Sequence, residues 1–546
     1  MYFVSNPVLQ RELLVNLRTM RSFMLFAIYQ ILILLIIYLA WPSNQQVDMI
    51  ASTAASNRLV DLFFMAQYVL IALMTPSFAS GAISGEKERK SYEMLLASPL
   101  RPTAIVIGKL VASLTHLAIL LITSIPIIVV CLPRGGISFY EVLGAYVVLI
   151  TSVLLFGMIS VFCSSLFTRT ASSLVVSYMA ILPIALGILL MWNGLSENGY
   201  LRLIFAVLLP CGALGLGVPL FWMTTRKMIH PPDIGSEGQQ VIDLEQENEK
   251  AVGMVIDRTK FPDRFFVPPE RKDLMSETAN PVLEKEMHHE IFGQGMLMLR
   301  LTIQIGMLLV IPIMAAFLYF MSEHVGWYIS YVLLYNMLIS PVFLAGSITS
   351  ERERQTLDLL LTTLITPWQI LWGKFVAGFR VGGYLTLLVL WPLALSVVLL
   401  PFFHVNFLSI LAYLGIIGVA NITCSLVALF ASTHMEKTSG SLLLTYMLVL
   451  VLFCVPPAVE FFVTVFYQDS VNPIGIDTWR SISPFSTVFS VPLDYDGLVS
   501  SSSYLQEKQS WISVGYFFLF HGVFNAVLYL ALYRRFVQRW RVSQSH

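Results

Sequence analysis

Apolar runs as long as a bilayer core is thick constrain this chain more than anything else in it. About 20 consecutive apolar residues span the hydrocarbon. There the backbone polar groups must be bonded within the segment itself, which makes each run a helix. Such runs lie near residues 22–41, 60–84, 104–132, 141–166, 170–192 and 201–223. They return near 298–321, 327–349, 371–402, 406–430, 439–463 and 512–533. The pattern predicts an all-α polytopic membrane protein with about twelve transmembrane helices. Composition agrees: 57% of residues are hydrophobic and only 12% are charged, where a soluble domain carries about 25% charged residues.

Other classes are disfavoured by what the chain holds. Its formal net charge is zero, so nothing points to nucleic acid. Cys131, Cys163, Cys211, Cys424 and Cys454 all fall within or beside apolar runs, indicating neither a disulfide framework nor a zinc site. The first run follows Arg11, Arg18 and Arg21 and is long enough to span, so it reads as a helix and not as a cleavable signal. With the N-terminus inside, Arg58, Arg134, Arg202, Arg480 and Lys508 are the only bases outside among 33 Lys and Arg. The positive-inside rule favours that sense. It also puts Arg534, Arg535, Arg539 and Arg541 in the cytoplasm.

The halves are copies. NPVLQRE at Asn6–Glu12 returns as NPVLEKE at Asn280–Glu286. A charged insertion beginning at Glu86 returns at Glu351, and Gly108-Lys109 returns as Gly373-Lys374. Each half has an even number of spans, so the repeats are parallel, related by an axis along the membrane normal. The expected domains are 1–223, a first six-span half; 224–279, a cytoplasmic linker containing DLEQENEK; and 280–546, a second six-span half. The linker reads as a tether, with a docking element as the alternative.

Local motifs have physical readings. Asn6 and Asn280 suit a helix N-cap followed by proline at the first helical position. The helix after them reads as interfacial, against a merely solvated flank. In the insertion, Gly85 is expected to stop the second span, and Tyr92, Leu95 and Leu96 form an apolar face. A loop that only kept positive charge inside would need bases alone. Here Glu86, Glu88 and Glu93 match Glu351, Glu353 and Asp358 in position. A helix with both signs of charge, repeated on one side of a two-fold assembly, suits docking to a two-fold cytoplasmic partner.

At these residues the chain resembles the membrane subunits of ABC-2-type exporters. SGEKERKSYEMLLASPLRPTAIVIGK and TSERERQTLDLLLTTLITPWQILWGK are similar to that family's stretch after its second span, approximately G-E-R-E-x-G-T-L-E-x-L-L-x-T-P and then Gly-Lys. Lys90-Ser91 stands where Gly-Thr is common, and Leu364 where a proline is expected. The resemblance implies a permease subunit, not itself an enzyme. Its coupling contact to a separate ATPase would be carried by Glu86, Glu88, Arg89, Glu93, Glu351, Glu353, Arg354 and Asp358. Two ABC ATPase copies would be the partners, binding ATP and Mg, with membrane lipids around the chain and no cofactor in it. Self-dimerisation is not required when both halves share one chain. The expected location is the plasma (inner) membrane of a prokaryote, multi-pass, with both termini cytoplasmic. The stretch 464–511, with SPFS at Ser483–Ser486, resembles the family's external segment before the last span; its counterpart, 193–200, is short.

No Walker A pattern occurs, so ATP would be hydrolysed in another chain. Glu286, His288, His289 and Glu290 cluster on the expected interfacial helix, where a surface position outweighs a metal site. Gly212, Gly215 and Gly217 lie inside an apolar span and suit close helix packing. Lys109, Lys374 and Arg380 lie near inner ends of spans and are expected to snorkel. Glu460 and His521 are candidate pathway residues, with an outer-interface position the alternative for Glu460. A secondary transporter would need paired carboxylates or broken polar helices at mid-membrane. A membrane-embedded enzyme would need a nucleophile–base or metal constellation. No convincing set of either kind is present.

Overall fold

In the computed structural model the described residues are 7–17, 27, 29–31, 33–34, 49–131, 139–194, 199–229, 280–286, 304–306, 325–353, 355–400, 403–404, 406–466, 480–493 and 501–544. Among them every regular element is a helix, and ten helices are long and apolar enough to cross a membrane. In the first half these elements are α1 (Pro7–Leu17), α2 (Met49–Ala79), α3 (Gly81–Glu88), α4 (Tyr92–Leu96), α5 (Pro102–Cys131), α6 (Phe139–Leu166), α7 (Thr170–Gly194) and α8 (Gly199–Ile229). The second half continues with α9 (Pro281–Glu286), α10 (Val325–Ala345), α11 (Thr349–Glu353), α12 (Leu357–Leu361) and α13 (Pro367–Leu399). It ends with α14 (Phe407–His434), α15 (Thr438–Phe466), α16 (Pro484–Ser490) and α17 (Ser501–Gln544). Most of the runs at 22–41 and 298–321 lies outside the described residues; the described pieces are helical.

The same packing is built twice. In the first half α6 packs against α2, α5, α7 and α8; in the second α14 packs against α10, α13, α15 and α17. The helices α1 and α9, expected to be interfacial, lie on α5 and α13, packed and not merely solvated. The halves meet where α7 packs on α10, and Tyr178, Met179 and Leu182 of α7 join the second half's core. Between apolar helices lipid supplies no hydrophobic drive, so small and polar side chains hold them. Ser340 on α10 donates to Asn421 Oδ1 on α14 at 2.6 Å and lies 3.0 Å from Ser425 Oγ. A Cβ on Gly382 of α13 would come within 3.4 Å of both Ser340 and Asn421.

Prolines lie inside seven of the crossing helices, and in five of them the backbone beside the proline is recaptured in one recurring way. A proline removes an i→i−4 bond and opens the turn before it, which is costly in lipid unless another donor arrives. In those five the carbonyl three residues before a proline receives one. Tyr178 bonds Leu73 O (2.7 Å) before Pro76, and Tyr446 bonds Leu338 O (2.6 Å) before Pro341. Gln30 bonds Thr123 O (3.0 Å) before Pro126, and Tyr328 bonds Val389 O (2.5 Å) before Pro392. Ser483 bonds Phe453 O (2.5 Å) before Pro456.

Two expectations are corrected. α8 runs on to Ile229, so the stretch read as a linker from 224 begins helical; 230–279 lies outside the described residues. Among the described residues nothing lies within 4 Å of a Cβ built on Gly212 or Gly215, so neither packs closely against a described helix. Within the stretch 464–511, α16 packs against α10, α14, α15 and α17, and α17 starts at Ser501.

The tyrosine bonds make a prediction. Tyr446→Phe strands the Leu338 carbonyl and should lower stability by about 1 kcal/mol, the scale of an orphaned buried acceptor. Pro341→Ala restores a straight turn, so the tyrosine change should cost measurably less in that background. Thermal unfolding of the four proteins in detergent checks both.

Candidate functional site

The charged insertions fold into the same turn in both halves. α3 carries the chain through Gly85 to Glu88, so Gly85 does not stop the second span. The stop is a left-handed residue, Lys90 (φ 57°) and its counterpart Gln355 (φ 58°). Ser91 N then bonds Glu86 O at 3.0 Å, and Thr356 N bonds Glu351 O at 2.9 Å. The hydroxyls of Ser91 and Thr356 also donate to the carboxylates of Glu86 and Glu351. The short helices α4 and α12 follow. Glycine is the residue that takes a left-handed conformation without strain, so lysine and glutamine here hold a strained turn.

The three repeated motifs converge beside each turn. Lys109 Nζ lies 3.3 Å from Glu12 Oε1 and 3.0 Å from Glu86 Oε1. Lys374 Nζ lies 2.5 Å from Glu286 Oε1 and 3.6 Å from Glu351 Oε1, while Lys285 Nζ reaches Glu351 at 2.8 Å. Lys109 is only 5% exposed and Lys374 2%. They do not snorkel: each is buried against carboxylates from two other segments. Glu286 is likewise buried and not at the surface; His288, His289 and Glu290 lie outside the described residues. Arg380 is exposed and bonds Tyr384 OH at 2.8 Å.

Local chemistry sets this geometry. Asn280 Oδ1 accepts from Val282 N (3.0 Å) and Leu283 N (3.4 Å), starting α9 as an N-cap should, and its amide donates to Gln369 O at 2.8 Å. Asn6, the counterpart, lies outside the described residues. A Cβ on Gly373 would sit 3.0 Å from Leu283 N. In the Gly-Lys pair, glycine lets α9 approach α13 and lysine reaches the glutamate that α9 presents. α13 itself starts with a Thr366–Gln369 capping box.

The middle of each insertion grips the loop between the fourth and fifth spans. Lys87 Nζ donates to Ser165 O (2.6 Å) and Phe167 O (3.3 Å) at the end of α6. Arg352 donates to Met435 O and Thr433 O (3.4 Å) at the end of α14. One residue on, Glu88 accepts from Thr170 Oγ1 (2.9 Å) and Glu353 from Thr438 N (2.9 Å), the first residues of α7 and α15. A base thus meets a helix C-terminus and an acid a helix N-terminus, the favourable sense for both dipoles, worth about 0.3–1 kcal/mol each at exposed sites. Ser164 Oγ accepts from Ile83 N and Ser84 N, and Ser432 Oγ from Ile348 N and Thr349 N, all at 2.8–3.1 Å.

The eight expected coupling residues therefore divide. Glu86 and Glu351 turn inward to the buried lysines, and Glu88 and Glu353 to the fifth spans. Arg89, Glu93 and Asp358 stay exposed, beside Met94 (77% exposed) and Leu359 (68% exposed); Arg354 lies outside the described residues. The candidate pathway residues sit elsewhere. Glu460 pairs with Arg480 at 3.3 Å and accepts from Ser486 at 3.3 Å. His521 is fully buried, with Nε2 2.9 Å from Ile482 O and Nδ1 3.3 Å from Thr423 Oγ1.

Two outcomes are expected. Lys374→Met leaves Glu286 and Glu351 short of their buried cation and should cost about 3–5 kcal/mol, read as a lower Tm and less folded protein in membranes. Lys90→Gly and Gln355→Gly relieve the left-handed strain and should each raise stability by about 1 kcal/mol, seen in the same melts.

No curated protein matches the chain. A family model described as "ABC-2 family transporter protein" matches residues 8–219 and 297–539. Those segments take in both halves and nearly every element of the paired site, and the chain belongs to the ABC-2 transporter family.

Proposed function

We propose that this chain supplies both permease halves of an ATP-driven exporter, working with two separate ATPase subunits docked on its two charged turns in the cytoplasm. The observation that carries this reading is the duplicated projection of α4 and α12. Each presents an exposed apolar side chain beside an exposed acid, Met94 with Glu93 and Leu359 with Asp358. Each is wired to the bundle by the same contacts. An ATPase closing against α4 and α12 would push α3 and α11. The Glu88–Thr170 and Glu353–Thr438 bonds would pass that push to α7 and α15, and α7 lies at the contact between halves. ATP binding and hydrolysis would then shift one helical half against the other, with the ATP and Mg held by the partners. Among the described residues, the fully buried charges Lys109, Glu286 and Lys374 all belong to the end clusters. A gradient-driven transporter would use ionisable groups at mid-membrane.

The test is charge reversal of the exposed acids, which make no side-chain hydrogen bond among the described residues. Glu93→Lys with Asp358→Lys should leave insertion normal but weaken association with the ATPase at least roughly tenfold, a loss of about 1.4 kcal/mol. The readout is a pull-down from solubilised membranes at matched permease levels. Tyr200→Lys, exposed at the opposite end of the bundle, is the control. Undiminished association in the double reversal would remove α4 and α12 as the docking surface.

A further inference from the structure

Beside the second charged turn lies a shallow, open cleft between α11, α12, the end of α14 and α17. Its polar lining includes Arg352 and Arg535, and its floor is apolar: Ile348, Leu357, Leu361 and Phe536. Two cations thus share one cleft. Among the described residues Arg535 has no ion-pair partner, and it is exposed on α17. The first half repeats the pairing of bases, with Lys227 near the end of α8 acting electrostatically on Lys87 of the turn. There Tyr92 stands where the second half has Leu357, packed with Ile83 and Met228, and its ring lies 5.4 Å from Lys87 Nζ.

The depth of the cleft is marked by aromatic side chains. Trp368 and Trp372 stack at 6.0 Å, 49% and 45% exposed, and Trp368 meets Tyr529 at 5.2 Å and Tyr533 at 6.2 Å. Exposed tryptophan and tyrosine at helix ends lie at the headgroup level of a bilayer. Arg535 follows Tyr533 by two residues, about 3 Å along a helix axis. The cationic rim therefore sits at phosphate depth, with the apolar floor towards the protein.

We infer that this cleft binds an anionic phospholipid of the leaflet at the charged-turn end, its phosphate held between Arg352 and Arg535 and its glycerol end against Leu357 and Leu361. Guanidinium groups favour phosphate by charge-assisted hydrogen bonds. The second positive charge selects against a headgroup that carries its own ammonium. The bound lipid would join α17 to the turn and to the end of α14, which Arg352 also holds.

The experiment uses the full chain purified in a neutral detergent. Retained lipid is counted by native mass spectrometry during titration with dioleoyl phosphatidylglycerol, dioleoyl phosphatidylcholine or inorganic phosphate. One phosphatidylglycerol per chain should be retained in preference to phosphatidylcholine. Arg535→Glu should weaken that retention at least roughly tenfold, since each base near the surface adds about 1 kcal/mol and the reversal changes two charges. Arg535→Lys should keep most of it. Arg534→Glu, an equal change at the neighbouring exposed position, should keep it too, which separates a site from general surface charge. Equal retention in Arg535→Glu, or equal retention of phosphatidylcholine, overturns the inference. So does displacement of the lipid by inorganic phosphate at comparable concentration, which would make the cleft a site for soluble anions. Unchanged lipid retention with weakened ATPase association in Arg535→Glu would assign the arginine to the protein partner instead.

Discussion

One buried ammonium in each half, bonded to carboxylates from two other segments, sets the register on which the rest depends. Lys109 joins residues 97 positions upstream and 23 positions upstream; Lys374 reaches a glutamate 88 positions back. Such a cluster is weak evidence for net stability, because removing both signs of charge from water costs about as much as their attraction returns. Its effect is on position. Once formed, any sliding of the interfacial helix or of the charged turn along the third span exposes an unmatched buried charge. The turn is then seated so that the next residues, Lys87-Glu88 and Arg352-Glu353, fall against the ends of the fourth and fifth spans. The turn cannot be displaced without pulling on both.

The proline-kinked helices show a related economy inside the bundle. In five helices the carbonyl three residues before a proline is met by a side chain from a different helix or segment. A kink of this kind is both a bend and a crosslink. The two tyrosine bonds, from Tyr178 and Tyr446, tie the fifth span of each half to the kink of its second. These are the same spans whose first and last turns the charged insertion connects.

Much of this was legible in the sequence, and the illegible part has a common cause. Spans, parallel halves, the Asn280 cap and all three repeated motifs follow from local periodicity and self-similarity. The meeting of those motifs does not, because it lies in contacts between segments far apart in sequence. Lysine near the end of an apolar run reads as snorkelling by its local surroundings; only the glutamate on α1 or α9 makes burial favourable. The recurrence of Glu12 and Glu286 at the sixth position after the repeated asparagine was the available signal. Gly85 fails as a stop for a different reason, since the helix breaks at Ser80 and ends at Lys90, where a left-handed lysine does what glycine does more easily. Gly212 and Gly215 suited helix packing by residue size alone, and size does not say which face they occupy.

Where the halves match and where they differ bears on how they work together. The matching contacts gather at the end that carries the charged turns. At the other end the halves part company. The second half inserts α16, capped by Ser483, against four helices, and fastens it with the Glu460–Arg480 pair and the His521–Ile482 contact. The corresponding end of the first half has the Asp61–Arg202 pair at 3.2 Å, with Arg202 over the Trp192 ring, beside an open, mostly apolar cleft of about 30 Å³ between α2, α6 and α7. Under the proposed coupling, equal pushes delivered through Glu88 and Glu353 would meet unequal resistance. α15 is held near its far end by α16 and by the Ser483 bond to Phe453, whereas α7 ends beside a cleft. The second half would then act as the frame, and the fifth span of the first half, which packs against it, would be the element that shifts.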